Sequence, residues 1–170
     1  MPEITPHDVG MAGEMFVASE CFRRGWSCSI VMGGAKKCDL HVSLPPNSTQ
    51  IKTLEVKSKR LKNSQWTFNK VGYPSKNLIY VLVDFRGKFR EHIQRPRSQH
   101  RPKCYIIPSR KLHEYWEEKL RKFKDKGGNV KWVGGVKLSS IRYSEELHEK
   151  WSNIIEDGND DGPPPRTKKQ

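Results

Sequence analysis

The stretch Cys38–Lys59, CDLHVSLPPNSTQIKTLEVKSK, holds two alternating segments on either side of a Pro45-Pro46-Asn47-Ser48 break. Read with a period of two, the first segment sets Leu40, Val42 and Leu44 on one face and Asp39, His41 and Ser43 on the other. The second sets Leu54 and Val56 on an apolar face and Thr53, Glu55 and Lys57 opposite them. Two such strands joined across a proline-rich break predict a hairpin. Pairing it brings Asp39 to the side of the sheet that carries Glu55, near the end where Lys57 emerges.

Upstream, Pro6 to Arg24 reads as an amphipathic helix, because Met11, Met15, Ala18 and Phe22 recur at steps of 4, 3 and 4 residues. Thr5 or Asp8 can cap it, and Gly25 stops it. A further strand, Trp26 to Met32, stands between that helix and the hairpin. Three antiparallel strands behind a helix follow: Trp26–Met32, Cys38–Leu44 and Gln50–Lys59. Arg60 to Lys76 is polar and basic with isolated aromatics and reads mostly as loop. Asn77 to Phe85 is a nearly unbroken apolar run of strand length, the pattern of a strand buried on both faces. Lys103 to Ile107 is another strand, and Pro108-Ser109 opens a helix to about Lys124 with Leu112, Tyr115, Trp116, Leu120 and Phe123 on one stripe. A last helix is predicted over Ser144 to Ile155. The elements describe an α/β fold, a mixed central β-sheet flanked by helices. Residues 1–156 are expected to form one domain, and 157–170, with no apolar side chain to repay ordering, a disordered tail.

Two carboxylates and an ammonium at one strand end are a specific chemical combination. Asp39 and Glu55 offer hard oxygen donors of the kind Mg²⁺ takes at roughly 2.0–2.1 Å while keeping several waters, and Mn²⁺ is a possible substitute. Hydrolysis of a phosphodiester needs charge neutralised on the phosphorus oxygens and hydroxide generated in line, and a divalent ion helps both. Lys57 beside it can orient the attacking water and stabilise developing charge. A Glu-x-Lys tripeptide alone is usually a solvated strand face; here an Asp in register, a basic chain and a preceding helix carrying Glu14 change that estimate.

The 170 residues contain 32 Lys+Arg against 19 Asp+Glu, a formal net charge of +13. Such a chain is a ready partner for polyanions, with nucleic acid first among them. A membrane is the competing polyanion, but no apolar run approaches the roughly 20 residues that span a bilayer. With no signal peptide evident, a cytoplasmic protein is expected. The four cysteines, Cys21, Cys28, Cys38 and Cys104, form no C-x-x-C pair. Reduced, buried thiols are expected in preference to a zinc site or disulfides.

The sequence resembles the PD-(D/E)xK nuclease superfamily, in particular small members similar to Holliday-junction resolvases and to the homing or restriction-type endonucleases that share their fold. The resemblance covers roughly residues 7 to 125. It rests on Gly13-Glu14 in a helix ending Arg23-Arg24-Gly25-Trp26, on Lys37-Cys38-Asp39-Leu40-His41-Val42, and on Leu54-Glu55-Val56-Lys57-Ser58. Trp66-Thr67-Phe68-Asn69, Leu78 to Phe85 and Tyr105-Ile106-Ile107-Pro108-Ser109 extend it. Asp39 follows Cys38 where the motif's name has proline. The resemblance implies a restriction-endonuclease-like αβββαβ core and a metal held by Asp39, Glu55 and the Val56 carbonyl. It also implies that Lys57 acts on the nucleophilic water and that Glu14 reaches in from the first helix. His41 shares the face of Asp39 and either touches substrate or serves as an ordinary hydrogen-bonding histidine.

Lys59, Arg60, Lys62, Gln65 and Trp66 run straight out of that site, a mixture able to grip phosphates. Arg86, Lys88, Arg90, Arg95, Arg97 and Arg101 make a second basic stretch that reads as an arm able to wrap a duplex or enter a groove. The function these readings predict is metal-dependent cleavage of double-stranded or branched DNA, site-specific or structure-specific. The alternative is a nuclease-fold DNA-binding protein that has lost turnover. Cutting both strands at one locus generally takes two sites, so a homo-oligomer, dimer or tetramer, is expected. Trp132, Val133, Leu147, Trp151 and Ile154 are candidates for its interface or for ordinary core.

Overall fold

The computed structural model describes residues 4–31, 38–45, 49–60, 66, 68, 71, 74–85, 101–125 and 147–156. In chain order the elements are α1 (Pro6–Arg23), β1 (Ser27–Ile30), β2 (Leu40–Ser43), β3 (Ile51–Lys59), β4 (Leu78–Asp84), β5 (Lys103–Pro108), α2 (Ser109–Lys124) and α3 (Asn153–Glu156). The five strands form one sheet whose spatial order, β1-β2-β3-β4-β5, repeats their order in sequence. β1, β2 and β3 pair antiparallel, with Leu40 opposite Leu54, and β4 pairs antiparallel with β5. β3 and β4 run parallel, with Glu55 opposite Tyr80. The sheet is therefore mixed and flanked by helices, as the alternation predicts. Between β3 and β4 the described residues contribute an isolated bridge at Trp66 and no helix.

α1 starts where Thr5 accepts a hydrogen bond from the Asp8 N–H, while the Asp8 carboxylate accepts from the Thr5 N–H, a reciprocal cap. It ends at Gly25, whose φ of +75° suits a residue without a β-carbon. The helix forms where expected, but it buries another side. Val9, Gly13, Val17 and Cys21 pack inward, while Met15 and Phe22, of the predicted stripe, are exposed. The reason is Gly13: only a helix face without a side chain at that point can lie this close to Val56 and Ser58 of β3.

The sheet separates two cores. On the α1 side Val17, Cys21, Leu40, Val42, Leu54, Val56, Ile79, Val81 and Ile106 pack together with Trp151 and Ile154. On the other side Trp66, Phe68, Val71, Tyr80, Leu82, Ile107, Leu112, Trp116 and Leu147 do the same. β4 feeds both and is buried along its whole length. Each fully buried aliphatic side chain there stabilises the fold by about 1.5–3 kcal/mol. Leu147, Trp151 and Ile154 are thus core, which removes them as interface candidates; Trp132 and Val133 lie outside the described residues.

The helix predicted over Ser144 to Ile155 is a correction. Residues 144–146 are outside the described set. At His148 the chain bridges to Tyr105 of β5, and Glu149, with φ of 54°, donates its N–H to the Cys104 carbonyl. A left-handed residue ends any helix there, and only the single turn α3 follows. Among the described residues no helix is long and apolar enough to cross a membrane. All four cysteines are free thiols; Cys21 and Cys104 are buried, while Cys28 and Cys38 are only partly so. The tail 157–170 lies outside the described residues.

Candidate active site at the β2–β3 fork

β2 begins at Leu40, and Asp39 stands immediately before it at the point where β2 and β3 part. Its N–H donates to the Leu54 carbonyl at 2.9 Å, and its own carbonyl accepts from Val31. Its carboxylate turns into the fork, where Oδ2 accepts the Val56 N–H at 2.6 Å. Glu55 and Lys57 flank that residue on β3, two positions apart and therefore on one face. Lys57 Nζ lies 3.0 Å from Glu55 Oε1, with the Lys57 side chain 34% exposed and that of Glu55 12% exposed. Asp39, Glu55 and Lys57 are thus brought to one end of one hairpin, where the alternation predicts them.

Glu14 arrives from α1. Burial pushes its carboxyl above the ordinary glutamate value, the negative charge of Asp39 pushes it further, and His7 and Lys57 pull it back. Asp39 and Lys57 of the fork are thus within electrostatic reach of Glu14. Gly13 is the device that puts it there, since its missing side chain sets the approach of α1 to Val56 and Ser58. Cys38 lies alongside. Its thiol is pushed up chiefly by burial and then by Asp39, and its sulfur sits 3.6 Å from His41 Nε2. His41 itself is exposed.

The predicted DNA-gripping run divides. Trp66 is 1% exposed and donates Nε1–H to the Val83 carbonyl at 3.2 Å, so it belongs to the core. Lys59 is buried too, 3.2 Å from Asp84 and 4.4 Å above the Trp66 ring. For both residues burial against β4 replaces the surface role, because period two sends Lys59 to the face that Trp66 covers. Arg60 is partly exposed and donates to the Ile4 carbonyl. Arg101 donates to Glu20 at 2.8 Å and to Glu149 at 3.1 Å, tying the chain before β5 to α1 and to the last segment. Lys62, Gln65, Arg86, Lys88, Arg90, Arg95 and Arg97 lie outside the described residues.

Three polar groups escaped the sequence reading. Asp84 interrupts an otherwise apolar buried strand, and a charge there needs a partner; Lys59 supplies it. Lys52 falls by alternation on the apolar face of Leu54 and Val56, is fully buried, and donates to the Lys76 carbonyl at 2.8 Å. Glu20, buried at the end of α1, takes ion pairs from Arg23, Arg24 and Arg101.

Among the described residues no group of three or more His, Cys, Asp or Glu side chains is arranged to hold a metal ion by itself. The donors at the fork are instead two to three carboxylates of unequal depth and a strand edge. No protein-family model matches the chain, and no curated protein matches it. A solved structure, that of the bacterial homing endonuclease I-Ssp6803I, superposes on 88% of this chain and 93% of its own with 13% identity and a TM-score of 0.49. Functional inference therefore rests on this chain's own residues.

Proposed function

We propose that the protein is a Mg²⁺-dependent DNA endonuclease of the PD-(D/E)xK type, with Asp39, Glu55 and Lys57 as its catalytic centre. One observation carries this reading: the Asp39 carboxylate is seated in the fork on the N–H of Val56, the residue that separates Glu55 from Lys57 along β3. In an extended strand the N–H and C=O of one residue point to the same side. The Val56 carbonyl therefore faces the fork with Asp39, and Asp39, Glu55 and that carbonyl make a set of hard oxygen donors. Such a set suits an ion that keeps part of its water shell, as Mg²⁺ does and Mn²⁺ can. The carboxyl of Glu14, raised first by burial and then by the charge of Asp39, fits the same reading, since a cation would offset the second of these effects.

When bound, the ion would neutralise charge on the scissile phosphate and acidify its water. The chain's own residues do the rest. Lys57, partly exposed and steadied by Glu55, holds the attacking water in line and offsets charge as it builds on the phosphate oxygens. Glu14, less ready to ionise than an exposed carboxylate, would exchange a proton with the reacting water. The surplus of positive charge holds the polyanion, with phosphate contacts that make binding salt-dependent.

The test is cleavage of plasmid and cruciform DNA by wild type, Asp39→Asn, Glu55→Ala and Lys57→Ala proteins. With Mg²⁺ the wild type should cut, each variant should fall by about 100-fold or more, and EDTA should abolish cutting. Equal cutting by all four proteins would trace the activity to a contaminant. Binding that survives EDTA, with no cutting under any divalent ion, would leave a nuclease-fold DNA-binding protein.

A further inference from the structure

The outer side of α1 is uncovered among the described residues, and two large apolar side chains, Met15 and Phe22, stand on it. At 100° per residue, Asp8, Met11, Met15, Ser19 and Phe22 fall within about 80° of arc, opposite the face that Val9, Gly13 and Val17 bury. Met15 is 49% and Phe22 58% exposed. No Lys or Arg interrupts the helix before Arg23, in a chain with a net charge of +13. Two copies of so basic a chain repel over most approaches and least through this strip.

We propose that a second copy of this chain docks here, the two α1 helices packing antiparallel about a two-fold axis beside Met15. The stripe is built for that symmetry. Asp8 and Phe22 are each seven residues from Met15, so an antiparallel mate sets Met15 on Met15 and brings the Asp8 end of one helix to the Phe22-Arg23 end of the other. Asp8 is exposed and Arg23 has a side chain 70% exposed, so each end meets its opposite charge twice, as an isologous contact requires. The macrodipoles also oppose each other favourably. Unbranched methionine at the axis adapts to its own copy, and Phe22 supplies the larger apolar area on either side. The proposal does not depend on the nuclease reading, although two copies would supply the two sites that a double-strand cut needs.

The test is the mass in solution, by light scattering and sedimentation from dilute to concentrated protein. Wild type is expected at an even multiple of the 19.7 kDa chain. Met15→Glu, which sets two like charges on the axis, is expected to halve that mass while leaving the circular-dichroism spectrum of the folded chain unchanged, because the residue is outside the core. Met15→Cys should cross-link to its own copy on mild oxidation, and Ile51→Cys, exposed on β3, should not. A wild type at single-chain mass throughout overturns the proposal. So does a mass unmoved by Met15→Glu, or a two-chain mass without the Met15→Cys cross-link. DNA cutting is scored separately: a single-chain protein that cuts with Mg²⁺ would sink the dimer alone, and an inert dimer would sink the nuclease alone.

Discussion

Gly13 joins packing to chemistry in one atom that is absent. A β-carbon there would collide with Ser58 Oγ and press Ser58 Cβ at 3.0 Å. The neighbours on each side, Glu14 on α1 and Lys57 on β3, belong to the candidate site. Gly13→Ala is expected to cost about 1–3 kcal/mol through overpacking, against the usual helical gain of about 1 kcal/mol for this exchange. Gly10→Ala, which meets open space, is expected to stabilise by about 0.5–1 kcal/mol. Urea denaturation of the two variants measures both signs. Cys21 gives a second test. Burial, with Cys28 beside it, pushes its thiol from 9.0 to about 12. A raised folded value means that the folded state holds its proton where the unfolded chain releases it. This contribution is fully present below pH 9.0 and is lost as pH rises towards 12. Thermal melts should therefore decline over that window more steeply in wild type than in Cys21→Ala, which starts about 1 kcal/mol lower.

Among the elements, the β3–β4 pair is where a buried charge decides most. Lys59 lies opposite Asp84 in the parallel register and is paired with it under Trp66. Lys59→Met alone takes the paired ammonium from the buried carboxylate and is expected to cost about 3–5 kcal/mol, whereas Lys59→Met with Asp84→Leu should cost far less. A double-mutant cycle by denaturant titration measures the difference. The same pair marks the limit of legibility. Period two was enough to place Asp39, Glu55 and Lys57, because alternation reports which face a residue occupies. It cannot report what covers that face, so Lys59 and Trp66 read as surface. α1 shows the complementary limit: periodicity marks the stripe of large apolar residues, but a helix packs close through its smallest face. The helix predicted over Ser144 to Ile155 failed at Glu149, whose left-handed backbone no propensity signals.

At the scale of the whole molecule the sheet was readable as a mixed one, since an antiparallel meander was followed by a doubly buried strand. The two-sided core follows from β4, whose seven residues feed both faces in turn. What local pattern cannot supply is strand direction, and β3 is antiparallel to β2 but parallel to β4. β4 therefore begins level with the start of β3, Leu78 opposite Thr53, and Trp66, Phe68 and Val71 of the intervening chain are buried in the core on the face away from α1. This imposes an order on synthesis. A hairpin closes early and locally, while a parallel pairing waits for distant sequence. A growing polypeptide that has emerged only as far as Lys59 can already bring Asp39 and Glu55 together, yet it still lacks the neighbour that will shield β3's far edge. Until β4 arrives, that margin is open to strands from other nascent chains.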